Sequence, residues 1–184
     1  ITLNADGSFN YIPNTGFSGT DTFTYTAKDT ATQITNTATV TIVVNPVATA
    51  DSYTFDAGTT LSKNAGLGIL ANDIGSTLTK NSIVANPTFG TLTLNSDGSF
   101  DYVPNTNFSG TDTFTYNAKD GSGGITNTVT VTLTVRPTAT NDTFTTTAGT
   151  AITRTAATGI IKSNDLGTSL TTTATVATSS KGTF

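Results

Sequence analysis

Apolar residues recur at every second position over much of this chain. Val129-Thr-Val-Thr-Leu-Thr-Val135 sets each aliphatic side chain against a threonine, and Thr39-Val-Thr-Ile-Val-Val44 follows nearly the same rule. A period of two sends alternate side chains to opposite faces, so both segments read as half-buried β-strands. A proline closes each of them, Pro46 after Asn45 and Pro137 after Arg136. Proline has no N–H to give to a ladder, so each marks the end of a unit.

Between those prolines the pattern predicts further short strands. Residues 52–55 read as the first, and 67–73 form an apolar run that stops at the Asn72-Asp73 turn. Residues 82–85, 90–94 and 99–103 follow, the last two flanking Asn95-Ser-Asp-Gly98. Asp-Gly between two alternating runs signals a hairpin, because the turn needs a positive φ that Gly98 adopts freely. Residues 113–118 form the next strand, with Phe114, Tyr116 and Ala118 facing inward, before a Gly121-Ser-Gly-Gly124 turn. About seven short strands and no significant helix predict an all-β fold, an antiparallel immunoglobulin-like sandwich.

The pattern is also written twice. The stretch from Asp6 to Tyr25 recurs from Asp97 to Tyr116 with few changes, as do the two boundary prolines. A repeat of this length is a whole domain in series. The expected division is a second half-repeat over 1–45, a complete repeat over 46–136 and a first half-repeat over 137–184. The linkers are short, which predicts a stiff rod.

Composition narrows the chemistry. All the acidic residues are Asp, and roughly a quarter of the chain is Thr, which suits turns and strands over helices. The sequence contains no His, Cys, Met or Trp, so zinc sites, disulfides and His-based catalysis are out of reach. With a pI near 4.4 it does not suit a nucleic-acid backbone or an anionic membrane surface. It has no apolar run long enough to cross a bilayer, so no direct membrane insertion is expected.

Several motifs resemble the bacterial cadherin-like or immunoglobulin-like tandem repeats of large surface proteins and RTX-type adhesins. They are Gly-Ile-Leu-Ala-Asn-Asp at 68–73, Phe-Gly-Thr-Leu at 89–92, Asp-Gly-Ser-Phe-Asp-Tyr-Val-Pro at 97–104 and Phe-Ser-Gly-Thr-Asp-Thr-Phe-Thr-Tyr at 108–116. Lys-Asp-Gly at 119–121 and the alternating valine strand complete the set. The resemblance implies a sandwich fold, an extracellular bacterial-surface location and work as a stalk, spacer or adhesive module. It also implies calcium at acidic loops and domain junctions in some relatives. This chain departs from the calcium-rich pattern, with Ile-Gly-Ser-Thr-Leu after Asn72-Asp73 and no Asp-x-Asp anywhere.

The candidate sites follow from these motifs. Asp51, Asp73, Asp120, Asp142 and Asp165 could converge at domain ends and hold calcium, the one cofactor to consider, or could cap turns through their own backbone. Asp112, which recurs as Asp21, reads as a lock ahead of its strand, with Gly110 at a positive φ. Gly98, Tyr102, Pro104, Phe114 and Tyr116 read as turn and core residues. No general acid, base or nucleophile accompanies Asp112, so no enzyme is expected.

The two end segments together amount to about one more repeat. An isolated second half would expose Val40, Ile42 and Val44, each worth about 1.5–3 kcal/mol when buried. The expected partners are therefore copies of the chain joined head to tail, or neighbouring repeats of a longer chain. Two functions suit this sequence: a structural stalk or filament repeat, and an adhesin module that binds a glycan or protein with or without calcium.

Overall fold

The computed structural model describes residues 1–155, 161 and 164–172. Two short hairpins come first, β1 (Thr2–Leu3) with β2 (Phe9–Asn10) and β3 (Gly19–Tyr25) with β4 (Ala38–Val44). Seven strands follow: β5 (Asp51–Asp56), β6 (Leu61–Lys63), β7 (Thr79–Ala85), β8 (Gly90–Leu94), β9 (Phe100–Pro104), β10 (Gly110–Lys119) and β11 (Val129–Arg136). They form a four-stranded sheet, ordered β5-β11-β10-β7, and a three-stranded sheet, ordered β6-β9-β8. The fold is all-β, and the two sheets enclose one core as a sandwich.

Alternation builds that core. Phe114, Tyr116 and Ala118 on β10 and Val131, Leu133 and Val135 on β11 are buried, while the threonines and Asn117 between them face away. Phe55, Ala57, Leu61, Ile69, Leu94, Phe100 and Tyr102 complete the cluster from the other strands and loops. Its rings meet edge to face, Phe100 to Phe114 at 6.1 Å and Phe55 to Tyr102 at 5.8 Å. That geometry sets the positive edge of one ring against the negative face of the next.

The structure adds detail at three places. The sandwich is antiparallel except where β5 runs parallel to β11, from Asp51 opposite Val131 to Arg136 opposite Asp56. No hairpin joins those strands, so nothing forces the antiparallel sense. The apolar run 67–73 does not pair as a strand. A 3-10 turn over Ala65–Leu67 leads into a set of turns that drops Ile69, fully buried, into the core. The run packs against the Asn95–Gly98 hairpin, with the Ile69 N–H donating to Gly98 O, and a Cβ on Gly68 would clash with that same carbonyl. Strand β6 is only three residues long, too short for a periodicity signal.

The N-terminal hairpins copy β8–β9 and β10–β11 in register. Leu3 faces Phe9 as Leu94 faces Phe100, and Gly19 faces Val44 as Gly110 faces Val135. Phe9 and Phe23 also meet edge to face at 5.6 Å, like Phe100 and Phe114.

Candidate functional site

Asp112 sits at the start of β10, 4% exposed, just after Gly110 at φ +132°. Its carboxylate accepts the Tyr102 hydroxyl at 2.7 Å and the amides of Thr88, Phe89 and Thr113 at 3.0, 2.8 and 2.9 Å. Burial works against the charge, but the hydroxyl and the three amides outweigh it and hold the carboxyl below its ordinary value. The same burial, with the carboxylate as acceptor, raises the Tyr102 phenol. This is a fully satisfied structural lock that ties the loop before β8 to β9 and β10. Pro104 ends β9 opposite Gly90, and Gly98 takes φ +82° in the hairpin turn.

The acidic candidates separate into distinct places. Asp51 and Asp73 come together around the Tyr116 hydroxyl, which lies 3.0 Å from Asp73 Oδ2, 3.5 Å from Asp51 Oδ2 and in hydrogen-bond contact with Ile69 O. A phenol has one proton to donate, so the second carboxyl is best accommodated protonated. Asp51 is pushed up to about 7, by burial first and by the charge of Asp73 second, against hydrogen bonds from Tyr116 and Asn72. Asp73 is raised by burial, opposed by the Thr49 amide and Tyr116. Burial, and then the two carboxylates, drive the Tyr116 phenol upward.

Asp120 lies apart from that pair. It accepts the Ser18 hydroxyl at 2.6 Å and the amides of Ser122 and Gly124 at 2.9 and 2.8 Å. These bonds, Ser18 foremost, lower its carboxyl against the effect of burial. Asp165 accepts the Thr140 amide at 2.7 Å as Asp73 accepts that of Thr49 at 2.8 Å, and Asn164 donates to Asp142 at 3.4 Å. Among the described residues no group of three or more His, Cys, Asp or Glu side chains gathers at one point. Two carboxylates, a phenol and one carbonyl fall short of the six to eight oxygens that calcium takes.

The Asp51 site carries a pH prediction. A carboxyl raised in the fold favours the protonated native state, so its cost is absent below the ordinary carboxyl range and complete above about pH 7. The sandwich is therefore expected to lose stability as pH rises from about 4 to about 7. Asp51→Asn should flatten that slope and raise the melting temperature at pH 8, as thermal unfolding across the range would show. A steeper slope, or a lower midpoint at pH 8, would contradict the assignment.

Among the described residues, the inner face of the N-terminal hairpins is left open. Leu3, Phe9 and Tyr25 are 48, 48 and 40% exposed, whereas their counterparts Leu94, Phe100 and Tyr116 are 8, 1 and 0% exposed. Phe23, Val40 and Ile42 are half-buried where Phe114, Val131 and Leu133 are sealed. The face forms a groove of about 780 Å³ lined by Leu3, Phe9, Phe23, Tyr25, Ile34 and Val40. The valine pattern of 39–44 pointed to this face. Leu3, Phe9 and Tyr25 become visible only when each is set against the residue one repeat later.

Comparison with known proteins follows this architecture. A search of the curated proteins finds no match. Among solved structures, a variant of the endo-fucoidan hydrolase MfFcnA4 of glycoside hydrolase family 107 is 21% identical with a TM-score of 0.34, over 66% of this chain and 21% of that one. MfFcnA4 itself is 22% identical with a TM-score of 0.32, over 64% and 19%. Endo-fucoidan hydrolase MfFcnA9 is 19% identical with a TM-score of 0.30, over 64% and 22%. The chain thus spans about a fifth of the length of these solved chains. The model of the bacterial cadherin-like domain matches residues 1–46 and again 44–137. The chain belongs to the bacterial cadherin-like domain family.

Proposed function

We propose that this chain is a non-enzymatic structural repeat of an extracellular stalk or filament on a bacterial surface. In this reading the inner face of its N-terminal hairpins is covered by a first half-repeat. The occupant has the chemistry of residues 137–184, supplied head to tail by a second copy or by a preceding repeat.

One observation carries the reading. The hairpins keep the register and ring geometry of a finished sandwich while their inner face stays open. In the complete repeat that face is closed by Tyr53, Phe55, Leu61 and Ile69, all from its first half. Residues 137–184 carry Phe144 in place of Tyr53, Ile152 in place of Leu61 and Ile160 in place of Ile69. Covering several such side chains, at about 1.5–3 kcal/mol each, is enough to drive association. A heterologous joint of this kind propagates in one direction, as a stalk requires.

Electron microscopy of the purified chain, with intact mass measured on surface-derived material, tests this. Linear fibres of 18.8 kDa chains support closure by a second copy. One much heavier polypeptide with serial repeats supports closure within a single chain. Dispersed chains with an open apolar face in the surface-derived material as well would overturn the reading.

A further inference from the structure

The junction between repeats is built twice to the same plan. At the first, the Ser18 amide donates to Ser76 Oγ at 3.1 Å, and the Ser76 amide donates back to Ser18 Oγ at 2.9 Å. At the second, the Ser109 amide donates to Thr168 Oγ1 at 3.1 Å, and the Thr168 amide donates back to Ser109 Oγ at 2.8 Å. The Thr168 hydroxyl adds a bond to Ser109 O at 3.0 Å. Behind each clamp sits a glycine against proline. A Cβ on Gly75 would fall 2.9 Å from Pro46 Cβ, and one on Gly167 would fall 2.7 Å from Pro137 Cβ. Thr77 and Ser169, one residue beyond each clamp, share φ +51°.

The junctions differ in two respects: at the first the Ser18 hydroxyl also donates to Asp120 at 2.6 Å, and the aliphatic side chain beside each clamp is placed differently. Leu166, bridged to Thr138 within its own repeat, packs against the core cluster of the preceding sandwich. It lies against the turn at Gly58, where φ is +77° and any Cβ would collide with Leu166 Cδ1. Ala57, beside that turn, is 3% exposed and its amide bonds to Arg136 O at 2.8 Å. The counterpart of Leu166 is Ile74, bridged in the same way to Val47, and it is 53% exposed. The turn that would receive it is the counterpart of Gly58, which belongs to a first half-repeat and lies outside residues 1–45.

From this we infer that each sandwich is closed at its end by an aliphatic plug from the following repeat. Leu166 fills the socket at Gly58, and the hydroxyl clamp fixes the angle of the joint. The interface is specific for the next copy of this repeat. Adjacent repeats then share stability, as stacked units with nearest-neighbour coupling do. Ile74 is the same plug awaiting the Ala-Gly turn of a first half-repeat, such as Ala148-Gly149. The inference rests on reading the chain as a serial array, but its test does not depend on assembly.

The experiment compares Leu166→Ala with Ile74→Ala in the full chain, diluted until it sediments as a monomer. Unfolding is followed by the fluorescence of the buried tyrosines and by hydrogen exchange on β10 and β11. Leu166→Ala is expected to lower the midpoint of the 46–136 sandwich by roughly 4–8 °C, although Leu166 lies outside it. Leu166→Val should fall between, and Ile74→Ala should shift the midpoint far less, although Ile74 lies inside. An unchanged midpoint in Leu166→Ala, or an equal loss in Ile74→Ala, would overturn the plug. Fibre imaging reports on the proposed function independently, so the two ideas fail separately.

Discussion

Asp112→Ala is expected to take away a large share of the stability of the complete sandwich. The substitution leaves four donors without an acceptor: the Tyr102 hydroxyl and the amides of Thr88, Phe89 and Thr113. A buried donor left unpaired costs about 1–3 kcal/mol. Relaxation lets some of these groups reach water, so a total of about 3–5 kcal/mol is the reasonable sum. That is a large share of the roughly 5–15 kcal/mol that holds a domain together. The melting temperature should drop by about 15 °C or more.

Two companions sharpen that result. Tyr102→Phe removes one donor and leaves the carboxylate on three amides, so it should cost far less. Asp21→Ala removes the equivalent carboxylate from the open hairpins, where the Tyr11 hydroxyl at 2.9 Å and the Thr22 amide at 2.8 Å are exposed. It should leave the sandwich unchanged. Urea titration of the three variants at neutral pH reads all of this. A mild effect of Asp112→Ala would mean that the lock contributes little. Below the ordinary carboxyl range the wild type should weaken for the same reason, because a lowered carboxyl gives stability that is lost as pH falls through its folded value.

Much of this fold was legible in the chain because its strands are half-buried. Alternation in 129–135 and 113–118 named the inward residues, since burial on one face and solvent on the other enforce a period of two. The Asp-Gly of 97–98 located the β8–β9 hairpin because its turn requires a positive φ. The run 67–73 misled for a physical reason. A short apolar run satisfies a strand and a core-filling loop equally well, and the choice lay in the close approach of Gly68 to the Gly98 carbonyl, a contact thirty residues away in sequence. The parallel pairing of β5 with β11 was hidden in the same way, since it depends on which sheet the chain re-enters.

The candidate sites divide along the same line. Recurrence as Asp21 marked Asp112, but its partners at Thr88 and Phe89 are set by tertiary approach and no local spacing reveals them. Asp51 and Asp73 could be named from the sequence. Their meeting around Tyr116 could not, because three separate segments bring the groups together. The plug at Leu166 is an ordinary aliphatic residue in sequence, and only its packing against the core of another repeat distinguishes it from Ile74.

The open face makes the second large prediction, and it concerns Tyr25. This ring is 40% exposed, while Tyr116, one repeat later, is fully buried. Both stand at the end of an antiparallel pairing with the same register, Tyr25 opposite Ala38 and Tyr116 opposite Val129. The difference between them is the presence of a first half-repeat over the ring. Closure by such a segment, whether from a second copy or from a preceding repeat, should bury Tyr25 as the complete sandwich buries Tyr116. Phe9 and Leu3, which line the same groove, should be covered in the same step.

The most direct measurement is tyrosine nitration mapped by mass spectrometry, on dilute chain, on concentrated chain and on protein taken from the cell surface. The account predicts that Tyr25 reacts readily in dilute chain and becomes as resistant as Tyr116 in the assembled and surface-derived material. If Tyr25 reacts at its dilute-chain rate in all three, the face is never covered and the structural-repeat account is contradicted.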